Sequence, residues 1–237
     1  MPRPAYGVDA PGVVRNLALF GALGILLGTM GLLFGGWARL LVANYGFWAG
    51  GSLLVTAGAM TLSSLIGKRY LRDRLLRRLG LRGDERVLDA GCGRGLLLIG
   101  AAQRLPHGRA VGVDVWQAKD QSGNAQARTL ANARLAGVAE RVEVHSGDLR
   151  ALPFADGFFD AAVSNLVLHN IPTREGRDQA VREIARVVRP GGQVVLCDFQ
   201  KTGEMAATLA ALGWTVLRSG LDVTVFPPVR VVAGLKP

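Results

Sequence analysis

Apolar and polar positions divide the chain into three stretches with different rhythms. Between Arg15 and Arg39 lie 23 residues without a charge, NLALFGALGILLGTMGLLFGGWA, and between Arg39 and Lys68 lie 28 more, LLVANYGFWAGGSLLVTAGAMTLSSLIG. A helix needs roughly 20 apolar residues to cross a hydrocarbon core of about 30 Å, and both runs exceed that. The pattern predicts a membrane anchor over residues 1–66, with two transmembrane helices at about 16–37 and 45–66 joined by a tight turn. A cleaved signal peptide fits less well, because its apolar core is ordinarily roughly 7–15 residues long and no A-x-A site ends this one. A helical hairpin buried inside a soluble core is the other alternative. Gly21, Gly24, Gly28, Gly31 and Gly35 recur at spacings of three and four in the first run, and Gly46 and Gly50 stand at GxxxG spacing in the second. On helices such glycines form a groove that a partner helix can enter. That partner is either the chain's own second helix or, in a homo-oligomer, another copy.

Residues 67–82 change period. Tyr70, Leu71, Leu75, Leu76 and Leu79 fall on one side of a 3.6-residue helix, with Arg and Lys around the other. The pattern predicts a basic amphipathic juxtamembrane helix lying at the bilayer surface, where each basic residue gains about 1 kcal/mol against anionic lipid.

From residue 83 to 237 strands and helices alternate, the mark of a parallel sheet covered on both faces. Strands are predicted at RVLDA, RAVGVDV, RVEVHSG, FDAAVSNL and GQVVLCDF, with WTVLRSG and VRVVAGL as a closing pair. One intervening helix should start at Thr173, a plausible N-cap, and end at Val188 before RPGG. The expected fold is α/β: a Rossmann-like, doubly wound, mostly parallel seven-stranded sheet preceded by a transmembrane helical hairpin.

Charge sharpens this division. The formal net charge is +10, yet residues 1–66 and 83–237 each carry only +2, and residues 67–82 carry +6. A nucleic-acid binder usually spreads its cations over a docking face, so this placement argues against nucleic acid as a partner. It argues instead for orientation: Arg39 alone marks the turn, against seven cations after the second span, and the positive-inside rule puts that flank in the cytoplasm. The chain is thus expected to be an integral protein of the cytoplasmic membrane with its C-terminal domain inside. Trp37, Tyr45 and Trp48, near the expected turn, would sit at the outer headgroup level. Cys92 and Cys197 read as reduced thiols, and no metal-ligand spacing appears.

The candidate chemistry lies at strand ends. The first strand runs into DAGCGRG, with Gly91, Gly93 and Gly95 ahead of the apolar LLLIGAA, a turn whose amides can approach a ligand closely. Position 96 is Leu, so the dinucleotide pattern G-x-G-x-x-G is absent, and the preceding Asp89 suits a cationic ammonium rather than a pyrophosphate. Nineteen residues after Gly95, Asp114 ends the second strand, placed for ribose hydroxyls, with Val115 and Trp116 to pack on a purine. Asp148, in GDLRALPF, could accept from an exocyclic amine. The constellation fits an adenosine with a positively charged tail.

VLDAGCGRG, VGVDVW, GDLRALPFADGFFD, VSNLVLHNI and RVVRPGGQVVLCDF, in this order, resemble the Rossmann-like (class I) S-adenosylmethionine-dependent methyltransferases, most closely the group with quinone-biosynthesis and small-molecule enzymes. The resemblance implies S-adenosylmethionine as cofactor and S-adenosylhomocysteine as product. It implies that Asp89, Gly91, Cys92, Gly93 and Gly95 surround the methionine part, Asp114, Val115 and Trp116 the ribose and ring, and Gly147, Asp148 and Leu149 the adenine, with Asn165 nearby. His169, just past the fourth strand, is the first candidate for a base, with Asp198 and Asp120 behind it. The expected function is methyl transfer from this cofactor to a lipophilic or small-molecule acceptor at the cytoplasmic membrane face. A membrane-tethered module that binds the cofactor without catalysis, and a nucleic-acid methyltransferase, are the alternatives.

Overall fold

The structure, a computed structural model, describes residues 4–117 and 124–237. Two long helices open the chain, α1 (Pro11–Gly31) and α2 (Gly36–Leu62). α2 passes through a π-helical turn, Ser63–Gly67, into α3 (Lys68–Arg78). Both apolar helices are long enough to cross a membrane, and little of either is buried by the rest of the protein. The connection falls at residues 32–35, earlier than expected, because the helix breaks at Gly35 and at Gly36 (φ +55°) rather than where the charge interrupts the apolar run. Arg39 therefore lies inside α2. Tyr45 and Trp48 lie further still along it, with Trp48 about 18 Å from its start at 1.5 Å per residue. Of the three aromatic residues, only Trp37 stays at the turn.

The glycine groove is occupied by the chain's own hairpin. A Cβ on Gly24 would come within 2.7 Å of Gly50 Cα, and one on Gly31 within 2.6 Å of the Ala43 amide nitrogen. The homo-oligomer expectation thus loses the surface on which it rested, since a second copy cannot enter a groove already filled by α2.

α3 also departs from expectation. Leu71, Leu75, Leu76 and Leu79 are buried in the core of the following domain rather than turned to lipid. Burial of these four leucines, at about 1.5–3 kcal/mol each, fastens the helix to the domain. The cations face outward, with two kinds of exception. Lys68 is buried, whereas Arg72 pairs with Asp73 and Arg74 with Asp222.

The domain contains a seven-stranded mixed sheet of order β3-β2-β1-β4-β5-β7-β6. In chain order its elements are β1 (Arg86–Ala90), α4 (Leu96–Ala102), β2 (Arg109–Asp114), α5 (Gln126–Leu135), β3 (Val142–Ser146), β4 (Phe159–Asn165), α6 (Arg174–Val187), β5 (Val188–Asp198), α7 (Thr202–Ala211), β6 (Thr215–Arg218) and β7 (Arg230–Leu235). The first five strands pair in parallel, and β7 is antiparallel to both β5 and β6. The apolar faces of α3 and α4 cover one side of the sheet, and those of α6 and α7 cover the other. Thr173 caps α6 as expected, its Oγ1 accepting from Gly176 N at 3.1 Å. Strand β5 starts at Val188 instead of Gly192, because Arg189–Gly192 is absorbed as an irregularity between Phe159↔Val188 and Ala161↔Gln193. The register aligns Ala90 with Val113 and Asp114 with Ser146, so the carboxyl ends of β1, β2 and β3 open on the same edge.

Candidate functional site

The turn from β1 to α4 is built around glycine. Gly91 (φ +83°) and Gly95 (φ +84°) occupy the left-handed region, and a Cβ on Gly91 would collide with the side chain of Val167. The Gly91 and Cys92 amides both donate to Val113 O, at 2.8 and 3.1 Å, fastening the turn to β2. Asp89 lies beneath it, 2% exposed, with Oδ2 accepting from Leu98 N at 2.8 Å. Burial pushes this carboxyl up to about 7; the Leu98 amide pulls it back, and the nearby charge of Asp114 adds to the rise.

Asp114 pins the same turn from β2. Its Oδ2 accepts from Gly93 N at 2.8 Å, while Oδ1 accepts from Trp116 N at 2.6 Å and from Asn124 Nδ2 at 3.3 Å. Asp148, after β3, is held by the Arg150 guanidinium at 2.5 to 3.0 Å, which keeps its carboxyl below the usual range. Arg150 therefore competes for the carboxylate that the sequence assigns to an exocyclic amine. At the end of β4, Asn165 presents a buried Oδ1 without a hydrogen-bond partner.

These residues share one cavity of about 670 Å³. Asp89, Gly91, Cys92, Gly93, Asp114, Val115, Gly147, Asp148, Leu149, Asn165 and His169 all line it. Trp116 and Gly95 do not. The Trp116 indole turns aside to donate to Ser146 Oγ at 2.8 Å, which removes it as the ring-stacking residue, and Gly95 acts through the backbone as the N-cap of α4. Burial raises the Cys92 thiol well above its ordinary range, so it is an uncharged wall residue. Asp120 lies outside the described residues.

His169 sits in a short 3₁₀ turn after β4, and its side chain is 17% exposed. Its Nδ1 is 2.8 Å from Asp198 Oδ1, but the contact is off-line and makes an electrostatic pair rather than a regular hydrogen bond. The ring lies edge-on to Phe199, with centroids 4.4 Å apart. Asp198 does not line the cavity. It is 1% exposed, and its oxygens accept from the amides of His169, Phe199 and Gln200 at 2.8 to 3.4 Å. This corrects its nomination as a base, because a carboxylate so enclosed can position His169 but cannot reach an acceptor.

The sequence gives no sign of the cavity's other wall. Residues 5–9 form a strap beside the site, with Asp9 lining its cavity. Asn132 of α5 exchanges hydrogen bonds with the backbone of Ala5 at 3.1 and 3.0 Å and also donates to Arg94 O, in the glycine turn, at 3.0 Å. At the strap's other end, Lys68 Nζ donates to Tyr6 O, Gly7 O and Asp9 Oδ1 at 3.1, 2.6 and 3.3 Å. Asp9 is further joined to Ser64. Beyond the strap the lining includes the apolar Val13 and Met60 from the hairpin's foot and Val225, Phe226 and Pro227 from the segment before β7.

Comparison with known proteins finds relatives of this arrangement. Residues 88–196 match the family described as "Methyltransferase domain". A demethylmenaquinone methyltransferase from Lactobacillus johnsonii is 28% identical to the chain over 156 residues, covering 65% of this chain and 58% of that protein. The chain therefore spans less than two thirds of that relative's length. Among solved structures, a SAM-dependent methyltransferase from Aquifex aeolicus superposes with a TM-score of 0.56 at 18% identity, covering 70% of this chain and 89% of that one. The [4+2]-cyclase SpnF superposes with a TM-score of 0.60 at 21% identity, covering 71% and 81%. The domain from β1 to β7 thus shares the fold of these structures, and S-adenosylmethionine is the cofactor that the Aquifex aeolicus enzyme's description names. The site suits such a group, since it offers a buried carboxylate to an ammonium and an unpartnered amide oxygen to a donor.

Proposed function

We propose that the protein is a membrane-anchored, S-adenosylmethionine-dependent methyltransferase acting on a lipophilic acceptor at the cytoplasmic membrane face. One observation carries this reading: a single cavity reaches from the strand-end carboxylates to Val13 and Met60 at the foot of the two apolar helices. In this reading α1 and α2 span the membrane, and the outward cations of α3, Arg69, Arg77 and Arg78, meet anionic lipid. The quinone-type acceptor named for the L. johnsonii relative has the chemistry that such a cavity suits.

Asp89 would face the cofactor's ammonium, Asp114 its ribose, and Gly147, Asp148 and Leu149 its base, with the glycine turn against the methionine chain. The bound cofactor supplies an activated methyl group on a sulfonium, so transfer is an in-line displacement that needs an acceptor held close. His169 is the residue proposed to take the acceptor's proton. With Nδ1 beside Asp198, Nε2 is the ring nitrogen left for an acceptor hydroxyl, and the buried Asp198 carboxylate steadies the imidazolium that results. The strap and Phe199 would keep water away from the reacting atoms. The test is to incubate membranes with the protein and methyl-labelled cofactor, then extract with organic solvent. Label in a lipid-phase product supports the reading, whereas label confined to water-soluble products rejects the lipophilic acceptor.

A second reading, cofactor binding without methyl transfer, is favoured by the likeness to a cyclase on the same fold. It predicts cofactor binding with no label transferred to any fraction.

A further inference from the structure

Residues 219–229, between β6 and β7, take no part in the cofactor cradle, yet they form a braced arm. Asp222 and Val229 exchange both backbone hydrogen bonds, at 2.7 and 2.9 Å. Thr224 N and Oγ1 donate to Asp222 Oδ1 at 3.0 and 2.6 Å, and Asp222 Oδ2 pairs with Arg74 Nη1 at 2.8 Å. From this base the arm follows the continuous α2–α3 helix toward the hairpin. Phe226 N donates to Ser63 Oγ at 2.9 Å, and Thr224 O packs against Gly67. Ser63 is eleven positions before Arg74, so the tip stands roughly 15 Å nearer the apolar helices than the base does.

The arm is greasy where a water-facing loop should be polar. Leu221 is 52% and Val223 72% exposed near its base, and Phe226 is 41% exposed at its tip, which is bonded to the helical turn that carries the equally bare Leu62, Leu65 and Ile66. This apolar surface continues that of the two long helices and is flanked by the exposed cations Arg69, Arg77 and Arg78. A greasy patch rimmed by positive charge complements the interfacial layer of an anionic bilayer better than it does water. Val225, Phe226 and Pro227 also line the cavity, as do Val13 and Met60 of the hairpin's foot.

Building on the membrane-anchored reading, we propose that residues 221–227 form a second docking element that dips into the bilayer interface beside the hairpin. The cavity mouth is thereby set against lipid, and a lipid-dissolved acceptor enters between this arm and the hairpin's foot without crossing water. Cys92 and Cys197 are buried, so a single introduced surface thiol can carry an environment-sensitive fluorophore. The whole chain with Val223→Cys, and separately with Leu221→Cys, is labelled and reconstituted into phosphatidylcholine–phosphatidylglycerol vesicles, with and without lipids spin-labelled near the headgroup. Val55→Cys on α2 reports the hairpin with deeper spin labels, and Leu217→Cys on β6 serves as the water-facing control. Blue-shifted emission that is lost with the shallow spin label at 221 and 223, but not at 217, is expected. Quenching at 55 with water-like emission at both 221 and 223 overturns the docking arm and leaves the anchored reading standing. Water-like emission at 55 as well overturns both.

Discussion

Asp89 offers the sharpest test of how the cradle works. It is buried, with the Leu98 amide donating to it, and its carboxyl is raised from 3.8 to about 7. A carboxyl raised in the folded state costs stability as pH climbs. Below about pH 4 the folded and unfolded chains both hold the proton. Between there and about pH 7 only the unfolded chain ionises, and above that the penalty is constant. At 1.36 kcal/mol per unit, the rise from 3.8 to about 7 amounts to about 4 kcal/mol at pH 8 and to less than half of that at pH 5. Asp89→Asn keeps an oxygen for the Leu98 amide and removes the charge. The variant without cofactor should therefore melt higher than the parent at pH 8, by up to about 10 °C for a chain of this size, and the gain should shrink at pH 5. S-adenosylhomocysteine binding should collapse in the same variant, because the ammonium loses its counter-charge. Melting curves in detergent at the two pH values, with calorimetric titration of that nucleoside, check both halves. A variant no more stable than the parent at pH 8 would refute the raised carboxyl, and one that binds as tightly would refute the assignment of Asp89 to the ammonium.

Three further outcomes follow from the geometry. His169→Ala should lower kcat by about 10²- to 10⁴-fold, the usual range for a lost general base, while S-adenosylhomocysteine affinity is unchanged; steady-state kinetics beside calorimetry separates the two. Gly24→Leu, at a position where even a Cβ lies 2.7 Å from Gly50 Cα, should spread the hairpin and lower the melting temperature in detergent, whereas Gly51→Leu, on an open face, should not. Lys68→Ala removes the three hydrogen bonds that hold residues 6–9, so limited proteolysis should cut the N-terminal strap faster than in the parent, and cofactor should restore protection.

The sheet was legible in the sequence because parallel strands buried on both faces advertise themselves as apolar runs between turn signals, and each predicted strand lies near an observed one. The strand-end carboxylates were legible for a related reason: RVLDA and RAVGVD leave Asp89 and Asp114 at the carboxyl edge wherever the register is parallel. Side-chain direction was not legible. Trp116 follows Asp114 closely enough to suggest stacking, yet a left-handed backbone at φ +60° swings its indole to Ser146. Asp198 looked like a base because it ends a strand, but three backbone amides enclose it. The α3 period correctly gave an amphipathic helix and wrongly gave its partner, since periodicity shows that a face is apolar and not what covers it. The contacts of Lys68 with residues 6–9 span about sixty positions, and no local pattern announces them.

The most direct measurement is calorimetric titration of S-adenosylhomocysteine into the whole chain in detergent, beside Asp114→Ala. The cradle described above predicts saturable binding of one nucleoside per chain and its loss when Asp114 no longer pins the glycine turn. No heat of binding from the parent protein, or undiminished binding by the variant, would contradict it.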